Sequence, residues 1–90
     1  MPRYLIERDF ADDLAIPPSA EGAQACARIV AVNGESGVTW LHSYVSADRR
    51  KTFCIYDAPT PEAIRHVARR NGLPVMHITE ITVLSPYFHY

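Results

Sequence analysis

The sequence predicts an α+β fold, because four stretches have the composition and alternation of β-strands and two have the spacing of amphipathic helices. Their order along the chain is β-α-β-β-α-β, which is the ferredoxin-like split βαβ arrangement. Right-handed crossovers place both helices on one face of a four-stranded antiparallel sheet, usually in the strand order 4-1-3-2. We therefore expect residues 1–90 to form a single ferredoxin-like domain.

The strands are indicated by β-forming residues between turn signals. "RYLIER" at 3–8 alternates in character and follows a proline. Residues 37–45 and 51–58 are rich in β-formers and are joined by the polar "SADRR", which predicts a hairpin. "PVMHITEITVL" at 74–84 supplies the last strand, and "SPYFHY" follows as a short aromatic tail.

The helices are indicated by their ends and by apolar spacing. Ser19 is the expected N-cap of the first helix, which Asn33 and Gly34 end. Its expected inward positions are Ala23, Cys26, Ile29 and Val30. The second helix should begin with Thr60 as N-cap and Pro61 at the first helical position, and should end at Asn71 and Gly72. Its expected inward positions are Ile64, Val67 and Ala68.

Composition and charge exclude several classes of partner. The chain has 90 residues, of which 48% are hydrophobic and 21% charged, and a formal net charge of −1. These values are ordinary for one globular domain and give no sign of polyanion binding, so we expect no nucleic-acid partner. No run approaches membrane-spanning length and the N-terminus lacks a signal-peptide core, so we expect a cytoplasmic protein without membrane contact. Cys26 and Cys54 lack CxxC spacing and are expected to be reduced thiols.

The two faces of the predicted sheet should differ in chemistry. If the more aliphatic side of each strand faces the helices, the helix side receives Tyr4, Ile6, Leu41, Ser43, Val45, Phe53, Ile55, Thr79, Ile81 and Val83. The other face receives Leu5, Glu7, Trp40, His42, Tyr44, Cys54, Tyr56, Ile78 and Glu80. Large aromatic residues are unfavourable on a solvent-exposed sheet face, and Glu, His and Cys are unfavourable in a dry core. We therefore expect a covered but polar cavity on this face. By analogy with other ferredoxin-like domains, a second copy would cover it as a homodimeric α+β barrel.

This second face carries the candidate site. On these assignments Glu7 lies beside Glu80 on one side and beside Cys54 or Tyr56 on the other, while His42 approaches from an edge strand. Carboxylates, an imidazole and a thiol within reach of one another bind divalent transition metals or perform acid-base chemistry. The candidate metal ligands are His42, Glu7, Glu80 and Cys54, and the candidate cavity-lining residues are Trp40, Tyr44 and Tyr56. A β-bulge in residues 37–45 would move His42 to the helix side.

Five motifs along the chain resemble a known family. They are "PRYLIER", W-x-H-S-Y-V-x-x-D from Trp40, C-I-Y-x-A-P from Cys54, I-R-x-x-A-R-R-x-G-x-P from Ile64, and I-T-E-I from Ile78. Together they resemble the DUF4242 family of small bacterial proteins, which includes a nickel-binding protein from Streptomyces. The resemblance implies a dimeric ferredoxin-like α+β barrel and, for at least one member, nickel binding. It implies no particular reaction.

One departure from the family pattern concerns the second helix. Many members have His two positions after the Arg of the I-R pair, where this chain has Val67. His66 lies one position earlier, about 100° away around a helix, so we transfer no ligand role to it.

Three classes of function remain open. The first is a metal-binding protein with nickel or another divalent transition metal in the dimer cavity. The second is a cofactor-free enzyme of isomerase, cyclase or oxygenase type, with His42 or a glutamate as the base; no Ser/His/Asp set, P-loop or dinucleotide fingerprint identifies a reaction. The third is a small-molecule-binding or interaction module that uses the aromatic wall without chemistry.

Overall fold

The computed structural model describes residues 1–10 and 19–87. Its elements are β1 (Arg3–Asp9), α1 (Ala20–Gly34), β2 (Thr39–Val45), β3 (Lys51–Asp57), α2 (Pro61–Asn71) and β4 (His77–Ile81). The strands form one antiparallel sheet in the order β2-β3-β1-β4, so the predicted topology is confirmed. In the described ranges no helix is long and apolar enough to cross a bilayer. The end of the predicted aromatic tail lies outside the described residues.

Helix α2 has the ends that its sequence predicts. The Thr60 hydroxyl accepts a hydrogen bond from the Ala63 N–H at 3.1 Å, and a proline occupies the first turn. Gly72 ends the helix with a φ of +69°, in the left-handed region that favours glycine. The Leu73 N–H then donates to the Ala68 carbonyl at 2.9 Å, which satisfies one of the last carbonyls of the helix.

The two helices pack to different depths. The predicted inward residues of α2 are all buried: Ile64, Val67 and Ala68. In α1 the predicted inward residues Cys26 and Ile29 are only half-buried, and Ala23 and Val30 are exposed. Ser19 precedes α1 in an extended conformation, but its side chain makes no capping hydrogen bond. Helix α1 is therefore the more loosely seated of the two.

The buried face of the sheet is set by the central strand. Along β1, the side chains of Tyr4, Ile6 and Arg8 are buried beneath the helices, and the residues between them are not. Ile6 lies opposite Cys54 of β3 on one side and opposite Ile78 of β4 on the other. Because directly opposite residues share a face, Cys54 and Ile78 are on the helix side too.

The predicted facing of β3 and β4 is therefore wrong by one residue. Cys54 and Tyr56 are buried on the helix side, and Phe53 and Ile55 point to the other face. In β4, Glu80 lies opposite Tyr4 and so faces the helix side, whereas Thr79 and Ile81 are on the other face. Val83, predicted on the helix side, follows β4 and is exposed. Each of the two strands has apolar residues on both of its faces, so its own sequence pattern does not specify which face is buried.

Strand β2 contains the bulge that the sequence analysis considered, but its effect differs. The register shifts between Trp40, which lies opposite Tyr56, and His42, which lies opposite Ile55. Trp40 consequently turns to the helix side and His42 stays on the other face, so the predicted placement of Trp40 is wrong. Leu41, predicted on the helix side, is at the shift and is exposed.

An ion pair joins β1 to the end of β3 on the side away from the helices. Arg3 Nε donates to Asp57 Oδ1 at 2.9 Å, and Arg3 Nη2 donates to Oδ2 at 3.4 Å. The hydrogen bond and the positive charge of Arg3 lower the pKa of the Asp57 carboxyl. This two-point contact links opposite residues of neighbouring strands.

The capping bond of α2 gives a first prediction. Thr60→Ala should lower the free energy of unfolding by about 1 kcal/mol, because the Ala63 N–H loses its partner at the helix end. Urea unfolding followed by circular dichroism measures this change. Ser19→Ala is the matched control, since the Ser19 side chain makes no capping bond and its removal should cost much less. Equal losses for the two variants would contradict this account of the caps.

The Arg3 and Asp57 pair gives a prediction about pH. Because the pKa of folded Asp57 is lowered, the stabilisation is complete above the unfolded Asp pKa of about 3.9 and is lost as the pH falls through the folded value. Asp57→Asn should therefore reduce stability at neutral pH and leave it unchanged in strong acid. Urea titrations across that range test this. Arg3→Gln should remove the same pH dependence; an equal loss for Asp57→Asn at neutral and acid pH would count against the pair.

Candidate functional site on the open face of the sheet

The face of the sheet that carries no helix is called the open face here. Besides the pair Asp9 and Lys51, it consists of three rows of directly opposite residues that cross all four strands. The rows are Thr39, Asp57, Arg3 and Ile81; His42, Ile55, Leu5 and Thr79; and Tyr44, Phe53, Glu7 and His77. The open face therefore mixes aromatic and aliphatic residues with two histidines, a glutamate and two ion pairs, Arg3 with Asp57 and Lys51 with Asp9.

Glu7 and His77 are neighbours in the third row. They lie directly opposite each other on β1 and β4, a position in which Cβ atoms of antiparallel strands are about 4.5–5.5 Å apart. Glu7 is half-buried in the central strand, and His77 is exposed at the start of the edge strand. A carboxylate and an imidazole so placed offer one oxygen donor and one nitrogen donor to a metal ion.

His42 is on the open face, as predicted, but not beside Glu7. It lies on edge strand β2, and β3 separates that strand from β1. Its ring packs edge-on against Tyr44, with centroids 5.3 Å apart and an interplanar angle of 89°. Within the described ranges, no three His, Cys, Asp or Glu side chains come close enough to hold a metal ion. One copy of the chain therefore presents a pair of donors and a separate histidine.

The other two predicted ligands are on the helix side. Cys54 is buried there, and its thiol lies 3.8 Å from the Thr52 hydroxyl. Glu80 is near Tyr4, whose phenol has its pKa raised by burial and further by the negative charges of Glu80 and Glu62. Because the sheet separates them from Glu7 and His42, Cys54 and Glu80 do not join an open-face donor set.

The predicted aromatic wall is divided in the same way. Tyr44 is on the open face and is 64% exposed. Trp40 and Tyr56, together with Cys54, instead line a separate cavity of about 290 Å³ on the helix side of the sheet. The open face receives different apolar residues, the half-buried Phe53, Ile55 and Leu5.

Position 67 also has a structural explanation. Val67 is 1% exposed and packs in the core beneath α2. His66 is exposed on the same helix. Neither side chain is on the open face, so the departure of this chain from the family pattern at Val67 does not alter the Glu7 and His77 pair.

His77 was not among the predicted candidates, because placing Thr79 and Ile81 on the helix side puts His77 there too by alternation. His77 can be identified only from the pairing of β4 with β1. Ile78 lies directly opposite buried Ile6, and this register places His77 directly opposite Glu7. Sequence reasoning also missed buried Arg8, which continues the alternation of Tyr4 and Ile6.

Comparisons with known proteins agree with this fold. The family model described as nickel responsive protein SCO4226-like matches residues 4–81. The crystal structure of SCO4226 from Streptomyces coelicolor A3(2) is similar, with a TM-score of 0.74 and 18% identity over 92% of this chain and 99% of that one. At this identity the likeness shows the fold alone.

No curated protein matches the sequence significantly. The DUF4242 label stays a prediction that is compatible with the family match. Because the family model spans most of the chain and all four strands, the chain belongs to the SCO4226-like family of nickel responsive proteins.

Proposed function

We propose that the protein binds nickel, or another divalent transition metal, on the open face of its sheet, and that a second copy covers this face in a homodimer. The observation that carries the proposal is the pair formed by Glu7 and His77, directly opposite each other on β1 and β4. The description of the family as nickel responsive supports the choice of metal.

The chemistry of the donors suits this class of ion. Imidazole nitrogen is a good ligand for nickel and zinc, and nickel accepts mixed nitrogen and oxygen sets. Glu7 and His77 provide two donors, which is fewer than either metal requires from a firmly bound site. A second copy related by a two-fold axis would supply the same pair again, giving four donors. His42, exposed on the same face, is a further candidate ligand toward the second copy.

The apolar residues of the open face support the homodimer. Leu5, Phe53 and Ile55 lie at its centre on β1 and β3, and Tyr44 extends the patch to the edge. Sheets that pack face to face are about 10 Å apart, a distance that side chains from both sheets fill. Pairing two copies would bury this patch and enclose the Glu7 and His77 donors between the sheets.

Metal binding is tested by calorimetry. Tag-free protein titrated with nickel or zinc chloride should give a saturable heat, and Glu7→Gln or His77→Ala should weaken the affinity about tenfold or more, because each removes a ligand. His66→Ala is the matched control, since it removes an exposed histidine on α2 and should leave the affinity unchanged. Absence of saturable heat, or wild-type affinity in both site variants, would refute the metal site.

The homodimer is tested by sedimentation. Wild-type protein at micromolar concentration should sediment as a dimer, and Phe53→Glu should sediment as a monomer because it places a charge in the middle of the covered patch. Val30→Glu is the control, since Val30 is a 53% exposed apolar residue on α1, away from the open face. A monomeric wild type, or a Phe53→Glu protein that stays dimeric, would contradict the covered face.

A further inference from the structure

A cavity of about 290 Å³ lies on the helix side of the sheet, beside the loosely seated helix α1. Residues of β1, β2 and β3 line it from the sheet, and Cys26 and Ile29 line it from α1. It is separated by the sheet from the proposed metal site. Its volume is just below the range typical of ligand pockets, about 300–1,000 Å³.

Arg8 is the unusual residue of this cavity. It is 3% exposed, yet it lines the cavity. Its guanidinium donates to the Pro74 carbonyl at 2.8 Å and to the Tyr56 hydroxyl at 3.2 Å, and it lies 5.8 Å from the centre of the Tyr56 ring. Both acceptors are neutral. In the part of the chain that the structure describes, no carboxylate forms an ion pair with Arg8.

A buried guanidinium without a counter-charge is unfavourable, since neutral acceptors only partly replace the water that it loses. An arginine presents five N–H donors, and Arg8 uses only two of them on acceptors within residues 1–10 and 19–87, the Pro74 carbonyl and the Tyr56 hydroxyl. Arg49, which has partners of its own, adds a second positive charge to the lining. The described lining residues include no Asp or Glu, so the wall of this cavity favours an anion.

The hydroxyl groups of the wall, like the arginines, have protons to donate. The Ser43 hydroxyl accepts from Trp40 Nε1 at 2.8 Å, and the Thr52 hydroxyl accepts from the Cys54 thiol at 3.8 Å. Each hydroxyl therefore keeps its own proton for a further acceptor. Burial raises the pKa of the Tyr56 phenol, so it too stays protonated at neutral pH. The described side chains of the wall therefore offer several donors and no carboxylate.

We propose that this cavity binds a small organic monocarboxylate, whose oxygens accept hydrogen bonds from Arg8 while its apolar body packs against Trp40 and Ile29. Arginine pairs with carboxylates through two parallel hydrogen bonds, and the charge of the ligand would compensate the buried cation. The apolar part of the wall, which includes Phe10 and Leu73, favours a hydrophobic body over a sugar or a polyphosphate. The proposal concerns the helix side and does not depend on metal binding.

The charge requirement is tested first on the wild-type protein. Benzoate and hexanoate are the probes, and benzamide and hexanamide are their neutral counterparts of similar shape. Calorimetry should give saturable binding for at least one acid and an affinity about tenfold or more weaker for its amide, because a hydrogen bond to a charged partner is lost. Trp40 is the only tryptophan of the chain and lines the cavity, so hexanoate should also change its fluorescence.

Two variants then locate the site. Arg8→Met should abolish binding of the acid, and Ile29→Trp should abolish it by filling the cavity from α1 without removing an Arg8 hydrogen bond. Arg28→Met is the control, since it removes an exposed arginine of α1 outside the lining and should bind as the wild type does. If Arg8→Met fails to fold, the binding measured with Ile29→Trp and the comparison of each acid with its amide still test the proposal.

Three results would overturn the proposal. The first is no binding of either acid at millimolar concentration, which is also the result expected if a carboxylate of the chain itself occupies the cavity. The second is equal affinity for an acid and its amide. The third is unchanged binding in a folded Ile29→Trp protein.

Discussion

The alternation of β1 is the constraint on which both faces of the sheet depend. As the central strand it pairs with β3 on one side and β4 on the other, so its phase decides which residues of its neighbours lie under the helices. Because Ile6 is buried, Cys54 is buried with it and Ile78 packs half-buried against the same core, while Glu7 is left on the open face with His77. A slip of one residue would exchange the chemistry of the two faces.

Consecutive residues of that strand have opposite roles. Glu7 places a negative charge on the open face, and Arg8 places a positive charge beneath the helices. The sheet thus separates the two proposed sites, a cation site at Glu7 and an anion site at Arg8, although both come from one short segment. Arg8 also holds the fold together, since its bonds to Tyr56 and Pro74 connect β1 to β3 and to the segment after α2.

The topology and helix ends could be predicted because they depend on local signals. Thr60, Pro61 and Gly72 act through their own backbone geometry and their nearest neighbours, and each is found where the sequence places it. The family resemblance also implied the ferredoxin-like arrangement that is observed, and the dimeric barrel that it implied stays a prediction.

The facing of the strands could not be predicted with the same success, because it depends on pairing between distant segments. Both faces of β3 are apolar: one carries Phe53 and Ile55, and the other carries Cys54 and Tyr56. Hydrophobicity alone therefore predicted the wrong face to be buried beneath the helices. In β2 the bulge turned Trp40 to the helix side, opposite to its predicted facing, and left His42 on the open face as predicted. Glu7 and His42 were placed correctly, whereas His77 becomes a candidate only when β4 is aligned with β1.

The bulge in β2 has a second consequence, for how copies of the chain approach each other. β2 is an edge strand, and an edge strand with a regular ladder of free N–H and C=O groups is a template on which another chain can extend the sheet. The irregularity between Trp40 and His42 interrupts that ladder and adds local twist. At the other edge, β4 has only five residues. Neither edge strand therefore favours pairing with a strand of another copy into a continuous intermolecular sheet, which is the geometry of fibrils.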